Sequence, residues 1–316
     1  MKKQLEIAIN SSLHWIDKHL HYFTLNTNVI DKEPLLDMQR KRLGELAILL
    51  LIASKNDSFK QDIRLKKITD FIKEICSSDS FYTGITRDLN LFPYYLMLFN
   101  GLKSMGIEFK EYKDFLQNIV NANFMDCIER TAWNQIDFKY QLDFGGFKHN
   151  MMSYNNMYKA SSFYHLPNLI HIRNIDVYAL THIIFHLTDF GNRNIDVLLK
   201  GRKEKTFEHL GALLVKYTLK EDWDLLAELL ICCHNLNYRN HPLFNDCWKK
   251  LLTAQNKEGD FTSRYIQEDL QKGVLVKEKD RFDVNYHPTL VGLFACLLEH
   301  QYLSKKGKDC YFKEAI

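Results

Sequence analysis

The sequence contains few of the residues that interrupt regular structure. It has 13 Gly and 5 Pro among 316 residues, which argues against a collagen-like chain and against an all-β fold with many tight turns. It also has no long apolar run. The longest, Leu46–Ala53, covers eight residues, whereas a membrane-spanning helix needs about 20. We therefore expect no membrane span.

The numbers of cysteines and of charged residues argue against further classes of protein. Seven cysteines, an odd number spread from Cys76 to Cys310, do not suggest a disulfide framework, so a reducing cytoplasm is the expected location. The basic N-terminal residues precede no apolar segment, and we expect no signal peptide. Lys and Arg number 42, Asp and Glu 39, and the net charge is +3. This balance gives no reason to expect a nucleic-acid partner.

Apolar residues recur at three- and four-residue steps along most of the chain, which is typical of amphipathic helices. The pattern is clear in Leu5–Leu20, in Leu43–Ala53 with Arg40–Arg42 on the outside, and in Ile63–Ile75. Further helices are predicted at 90–105, 111–130, 153–164, 174–189, 205–219, 222–236, 243–255 and 286–303. Eleven or twelve helices predict an all-α protein with one domain over 1–316, within which residues 1–130 could form a looser subregion. Such a chain forms a bundle, a solenoid or a closed ring of helical hairpins.

A repeated motif discriminates among these architectures. Gln141–Phe147 and Gln255–Phe261 both read Q-x-x-x-G-x-F, and both are predicted to lie in loops. The glycine is expected to take the left-handed conformation that ends a helix. The glutamine amide would bond freed backbone groups, and the aromatic ring would pack on the turn. A chance recurrence of three fixed positions is the alternative.

This motif resembles the glutamine–aromatic repeat of the α/α-toroid families. These are the squalene-type terpene cyclases, the protein prenyltransferase β subunits and, more distantly, the lanthipeptide cyclases. The resemblance implies an all-α fold, an α/α toroid-like ring of helical hairpins, with an active site that opens at one end of the ring.

A second segment resembles one of these families. Asp283–Leu293 is similar to the part of prenyltransferase β subunits in which Tyr-His-Thr begins an inner helix. The resemblance implies that His287 is a zinc ligand, with Pro288 in the first helical turn. The family's other two ligands form Asp-x-Cys, whereas this chain has Asp222-Trp223-Asp224. The missing thiolate does not favour prenyl transfer, and the absent Asp-x-Asp-Asp motif does not favour squalene-type cyclisation.

His182 and His186 are candidate metal ligands from their spacing alone. Four residues apart, they share one face of a predicted helix. Position 183 is Ile rather than Glu, which excludes the zinc-peptidase pattern. The alternative is one packed and one hydrogen-bonded histidine. Asp189, directly before Phe190-Gly191, is a candidate acid or a helix-end turn residue.

Asp224 and Glu228 are candidates because they lie four apart on an otherwise apolar helix. Buried carboxylates are costly unless they are paired or bound to a metal, although the helix dipole favours one acid in the first turn. Cys232-Cys233-His234 resembles the zinc-binding Cys-His of lanthipeptide cyclases. Asn235 follows where those enzymes have Gly, so a role for this tripeptide stays open.

The predicted starts of the helices indicate which candidate side chains can lie close together. If the inner helices begin on one rim, His182, Asp224 and His287 can reach one point, with His186 as a further candidate ligand. Two imidazoles and a carboxylate suit Zn²⁺ with an open position or Fe²⁺ as a facial triad. Asp189 and Glu228 are then the candidate catalytic acids.

The leading functional hypothesis is a metal-dependent cavity enzyme of cyclase, lyase or transferase type. Its substrate would be a peptide or a small-molecule natural-product intermediate. One alternative is a non-catalytic helical protein that binds peptides or acts as a scaffold. Another is a metal-free terpene-type cyclase that uses a different acid, such as Asp189. The sequence does not predict the oligomeric state.

Overall fold

Helices make up the regular structure of the protein. The structure, a computed structural model, describes residues 1–25, 33–78, 81, 84–85, 89–123, 128–262, 268, 272–273 and 277–313. Within these residues no strand occurs, and one isolated antiparallel bridge joins Gln255 to Phe261. The α-helices are α1 (Lys2–Lys18), α2 (Glu33–Ala53), α3 (Ile63–Cys76), α4 (Phe92–Ser104), α5 (Lys110–Asn121), α6 (Ala132–Gly145), α7 (Tyr154–Lys159), α8 (Ser162–His165), α9 (Asn174–Leu187), α10 (Lys203–Leu219), α11 (Trp223–Asn235), α12 (Phe244–Thr253) and α13 (Glu278–Lys313). The prediction of an all-α protein is confirmed.

Six of these helices contact one another in a closed order. Helix α2 packs on α4, α4 on α6, α6 on α9, α9 on α11, α11 on α13, and α13 again on α2. We call these six helices the contact cycle. The helices between them in the chain pack against its members: α1 on α13, α3 on α2 and α4, α5 on α4, α7 on α6, α8 on α9, and α10 and α12 on α11.

Local sequence explains where the site-bearing helices begin and end. The side chain of Asp222 accepts a hydrogen bond from the Leu225 backbone N–H and so caps α11, and Thr131 caps α6 in the same way through Asn134. Such caps satisfy backbone donors that have no partner inside the helix. Helix α6 ends at Gly146, which has a φ of 74°. Among the described residues, no helix is long and apolar enough to cross a membrane.

The predicted helix 153–164 is divided into α7 and α8, and three further details of the sequence prediction were wrong. The predicted helix 111–130 was too long, since α5 ends at Asn121 and Ile128–Arg130 are not helical, while 124–127 lie outside the described residues. Helix α6, which begins at Ala132, was not predicted. The motif residues Gln141 and Gly145 lie in α6 rather than in a loop, and the left-handed conformation expected for the motif glycine is taken by the next residue, Gly146.

The other two details concern α2 and α13. Arg42 was expected on the outside but is only 2% exposed, because its guanidinium lies over the rings of Phe282 and Tyr286 and pairs with Asp283 at 2.8 Å. Helix α13 begins eight residues before the predicted start. Pro288 consequently lies inside the helix and not in its first turn.

Candidate functional site

The contact cycle surrounds a cavity of about 320 Å³, which we call the central cavity. All six helices contribute to its wall. Representative lining residues are Glu45 of α2, Met97 of α4, Trp133 of α6, Phe185 of α9, Glu228 of α11 and His287 of α13. Most of the wall is aromatic or aliphatic, and the ionisable side chains are concentrated on α2, α6, α9, α11 and α13.

His287 lies between two carboxylates. Its Nδ1 is 3.0 Å from Glu45 Oε2 and its Nε2 is 3.3 Å from Asp224 Oδ1. The hydroxyl of Tyr178 donates a hydrogen bond of 2.6 Å to the other oxygen of Asp224. Four helices, α2, α9, α11 and α13, thus bring one chain of polar groups together.

The two carboxylates beside His287 determine the protonation state of its imidazole. Burial lowers the pKa of His287, but the carboxylates of Glu45 and Asp224 outweigh burial and raise this pKa well above its usual value. For Asp224, burial raises the pKa, while the imidazolium of His287 more than compensates and lowers it. Without a bound cation, His287 is therefore a positively charged ring between two carboxylates, and it balances one of their two negative charges.

Glu228 and His182 form an adjacent pair. Glu228 lies one turn after Asp224 on α11, is 1% exposed, and accepts a hydrogen bond from the hydroxyl of Thr181. Its Oε1 is 3.4 Å from His182 Nε2. Burial lowers the pKa of His182, but the charge of Glu228 outweighs burial, and the pKa is raised. The ring of His182 also meets the edge of Trp133, with centroids 5.4 Å apart.

Three of these side chains have the arrangement of metal ligands. One ligand atom each of Asp224, Glu228 and His287 lies within 4.8 Å of the other two. The ligand atoms of a tetrahedral Zn²⁺ are about 3.4 Å apart, given bonds of about 2.0–2.2 Å, so a modest inward movement would suffice. Asp224 Oδ1 is buried, and His287 Nε2 lies 3.3 Å from it. The donor set therefore fits a divalent cation.

The sequence placed His182, Asp224 and His287 at one point. The structure brings Asp224 and His287 into contact, and His182 reaches the group through Glu228, which takes the third position. His182 is thus a neighbour of the candidate ligands. Its side chain is 35% exposed, more than that of Asp224 or His287.

His186 and Asp189 lie farther along α9. His186 is 4% exposed, its Nε2 is 3.3 Å from Asp137 Oδ1, and burial lowers its pKa to about 4. Asp189 lies in the turn after α9, where its Oδ1 accepts hydrogen bonds from Lys55 Nζ at 2.9 Å and from the Tyr140 hydroxyl at 2.8 Å. The structure does not bring either side chain to the group around His287.

The Cys232-Cys233-His234 tripeptide lies at the opposite end of α11 from Asp224. Both thiols are fully buried, and burial raises the pKa of each, which opposes the thiolate form that binds metals. His234 Nδ1 is 3.3 Å from Glu299, which also pairs with Arg239.

Glu45 was missed by the sequence analysis, although a signal for it exists. It is the one ionisable residue between Leu43 and Ala53, and a lone carboxylate in an apolar helix is the pattern that singled out Asp224 and Glu228. Asp137 and Trp133 were missed because helix α6 was not predicted.

One comparison with known proteins gives a match. A family model described as a domain of unknown function (DUF6895) matches residues 9–297. The match covers most of the chain, which therefore belongs to this family. No curated protein and no solved structure matches the chain.

Proposed function

We propose that this member of the DUF6895 family is a metal-dependent enzyme that acts on a peptide or small-molecule natural-product intermediate in its central cavity. The convergence of Asp224, Glu228 and His287 beside the central cavity, whose wall includes Glu228 and His287, carries the proposal. Two carboxylates and one imidazole suit Zn²⁺ or Fe²⁺. The buried Asp224 Oδ1, which lies 3.3 Å from His287 Nε2, is the atom through which Asp224 would bind the cation.

We propose further that the helices form an α/α toroid-like ring. The closed order of the contact cycle supports this arrangement, since α13 returns to α2, and the intervening helices pack against the cycle as an outer layer would. A ring of this kind holds its site where inner helices begin. Tyr178 and Asp224 fit that position, since each lies within the first two turns of its helix.

The residues around the proposed cation have distinct tasks. When bound, the cation would polarise a substrate oxygen or activate a bound nucleophile. Glu45 holds the Nδ1 proton of His287 and so leaves Nε2 free to bind a cation beside Asp224. Tyr178 fixes the orientation of Asp224. His182, next to Glu228 and open to the cavity, is placed to take or give a proton.

Metal content tests the proposal. Protein purified without a metal-binding tag is analysed for zinc and iron, and apo protein is titrated with Zn²⁺ and with Fe²⁺ under anaerobic conditions. We expect about one equivalent for the wild type and loss of at least tenfold in affinity for Asp224→Asn and for His287→Gln. Asp222→Asn is the matched control, because it removes a carboxylate from the same helix start while asparagine still caps α11.

Two results would contradict the metal site. One is a folded wild type that binds neither metal, and the other is equal affinity in Asp224→Asn and Asp222→Asn. Circular dichroism of each variant establishes that the fold is retained.

A metal-free acid–base enzyme is the second candidate. The observation that favours it is the position of His287, whose imidazolium already pairs with both Glu45 and Asp224. In that case the imidazolium would be the proton donor to the substrate. A folded wild type that binds no metal would favour this candidate over the first.

A further inference from the structure

The helices that line the central cavity run in the same direction. In α2 and α13, Glu45 contacts His287, and Asn56, just after α2, bonds to the later Leu297. Two further pairs of helices show the same order in their contacts: Trp133–His182 and Tyr140–His186 for α6 and α9, and Tyr178–Asp224 and His182–Glu228 for α9 and α11. One end of the cavity is therefore formed by the earlier residues of these helices, and the other end by the later ones.

The wall changes from polar to apolar along this direction. The earlier wall positions of α2, α9 and α13 carry ionisable side chains: Arg40, Lys41, Glu45, His182 and His287. The later positions on these helices and in the turn after α9 carry mainly apolar side chains: Ile48, Phe185, Phe190, Val291 and Phe294. His186 is the exception at these later positions, and its Nε2 lies 3.3 Å from Asp137 Oδ1. The central cavity thus has a polar end, which contains the proposed metal site, and an apolar end.

The polar end is open to solvent, and the apolar end is closed. At the polar end, the side chain of Lys41 is 58% exposed and Asn134 is also exposed. At the apolar end, none of Phe185, Phe190, Val291 and Phe294 is more than 7% exposed. A molecule that enters from solvent therefore passes the proposed metal site first and leaves its innermost part among apolar side chains.

An ion pair closes the structure beyond the apolar end. Lys55, which follows α2, pairs with Asp189, which follows α9, at 2.9 Å. The hydroxyl of Tyr140 in α6 donates a hydrogen bond of 2.8 Å to the same carboxylate, and the ammonium group of Lys55 lies 5.7 Å from the ring centre of Phe190. Since three elements of the contact cycle are tied together here, the apolar end has a fixed depth.

The depth of the apolar part follows from the helix geometry. Phe294 lies seven positions after His287 on α13, which is about 10 Å at the usual rise per residue. Three bonds of an extended chain span about 3.3–3.8 Å, so a depth of about 10 Å accommodates a straight chain of about eight carbons. The cavity volume of about 320 Å³ is at the lower end of the range for small-molecule pockets. One narrow apolar group fits this space better than a peptide with several side chains.

The polar end favours a head group that carries oxygen. The proposed cation would lie there, beside Glu228 and His287, and a carboxylate oxygen is a suitable ligand for Zn²⁺ and for Fe²⁺. Arg40 and Lys41 line the same end, although each already lies close to a carboxylate. An ammonium head group offers no lone pair to a metal and is repelled by its charge.

We infer that the substrate is a medium-chain acyl compound, whose carboxylate or carbonyl head lies beside His287 and whose alkyl chain of about eight carbons extends along the apolar end of the central cavity. This inference rests on the proposed function, because it names the substrate class of the same site. The order of polar and apolar wall residues along parallel helices orients the chain, and the closed end limits its length.

A series of alkanoates tests the inference by calorimetry. Hexanoate, octanoate, decanoate and dodecanoate are titrated into protein loaded with one equivalent of Zn²⁺ and into metal-free protein. We expect each added methylene up to octanoate to strengthen binding by about threefold to fourfold in both samples. Dodecanoate should bind no more tightly than decanoate, because its last carbons have no room beyond Phe294.

Two variants change the depth of the apolar end in opposite directions. Val291→Phe fills part of the space and should lower the affinity for octanoate at least tenfold while affecting hexanoate less. Phe294→Ala lengthens the space and should make dodecanoate bind more tightly than octanoate. Val197→Phe, at a position that is 87% exposed and does not line the cavity, is the control and should leave every affinity unchanged. Circular dichroism shows which variants keep the fold.

Molecules with the same chain and different heads test the polar end. Octanoate, octan-1-ol and octylammonium are compared in the protein loaded with Zn²⁺. Octanoate should bind at least tenfold more tightly than octan-1-ol, and octylammonium should bind most weakly. In metal-free protein the advantage of octanoate over octan-1-ol should shrink, since the cation supplies most of it.

Affinities that do not depend on chain length would overturn the inference. So would the same preferred length in the wild type and in whichever depth variants fold, tighter binding of octylammonium than of octanoate, or no binding of any alkanoate. Protein that binds Zn²⁺ but does not select alkanoates by length contradicts the substrate class only. Protein that selects them by length but binds no metal contradicts the metal site only.

Discussion

At the scale of single residues, burial and ion pairing shift the pKa values of two histidines on one helix in opposite directions. His182 and His186 lie four apart on α9, yet the pKa of His182 is raised and that of His186 is lowered to about 4. Burial lowers both. For His182, the charge of Glu228 raises the pKa by more than burial lowers it. For His186, which is almost fully enclosed, the charge of Asp137 is too weak to compensate for burial. The neutral form of His186 is therefore part of the folded structure.

This difference predicts how stability depends on pH. The unfolded chain protonates His186 near pH 6.5 and the folded chain near pH 4, so between these values the unfolded state binds more protons and stability falls as the pH falls. The loss at pH 4 is on the order of 2–3 kcal/mol. We expect the free energy of unfolding to decrease by that much more in the wild type than in His186→Gln between pH 7 and pH 4.

The slope of the free energy of unfolding against pH is compared between the two proteins, rather than the free energy itself. Because the other titrating groups are common to both proteins, the difference between the slopes reports on His186 alone. Urea unfolding at several pH values gives both slopes. An NMR titration of the imidazole signals should also show one ring that stays neutral down to about pH 5 and is missing in the variant. Parallel stability curves would refute the prediction.

Residue chemistry was also the part of the site that the sequence revealed best. Asp224 and Glu228 were singled out because carboxylates on an apolar helix need partners, and the structure gives them His287 and His182. The partners themselves could not be read from the sequence, since they come from other helices. Arg42 shows the reverse case: a charge expected in solvent is buried against aromatic rings that lie about 240 residues away in sequence.

At the scale of helices, small residues set the distance between α2 and α4. A Cβ atom added to Gly101 would lie 2.7 Å from the backbone oxygen of Ala47 and 2.8 Å from its Cβ. Gly44, on the facing helix, would instead meet the terminal methyl group of Met97 at 3.0 Å. Backbone cannot move without displacing the helix, whereas a methionine side chain can change rotamer.

The two glycines therefore respond differently to the same substitution. Gly101→Ala should destabilise the protein by about 1–3 kcal/mol, the usual penalty for overpacking, because α2 and α4 must separate. Gly44→Ala should be close to neutral, since the better helix propensity of alanine offsets a small shift of Met97. Thermal and urea unfolding of the two variants measure the contrast. Equal destabilisation by both substitutions would show that the two helices are not in close backbone contact.

Helix prediction succeeded where apolar periodicity was strong and failed at α6. The predicted helices 174–189, 205–219, 222–236 and 243–255 agree closely with α9, α10, α11 and α12. In α6, polar and aromatic residues alternate without a clear apolar face, because one side of the helix carries Trp133 and Asp137 into the central cavity. Gly145-Gly146 was the available signal for its end, but the motif containing them was interpreted as a loop.

At the scale of the whole molecule, segments from the two ends of the chain pack together. Asn56, just after α2, donates a 2.8 Å hydrogen bond to the backbone oxygen of Leu297 in α13, and Ser12 of α1 donates one of 2.8 Å to the oxygen of Gly259. Contacts between residues more than 240 positions apart leave no periodic signal in a sequence. At the sequence level, the closed order of the helices could therefore be predicted only through a family resemblance, and the contacts that close it are seen in the structure.

Asn56 tests whether the chain closes into one cooperative unit. Its side chain is 1% exposed, and its carbonyl oxygen also accepts a hydrogen bond from the Ser58 backbone. Asn56→Ala removes the buried donor to the Leu297 oxygen, whereas the exposed Ser58 N–H can turn to water; the loss should cost about 1–3 kcal/mol. If residues 1–130 and the rest of the chain unfold together, this loss shifts a single transition, seen identically by circular dichroism and by tryptophan fluorescence. Asn156→Ala, at an exposed position of α7, is the control and should leave the midpoint unchanged. Two separate transitions, of which only the first responds to Asn56→Ala, would show that the N-terminal helices form a looser subregion and that the ring is not one folding unit.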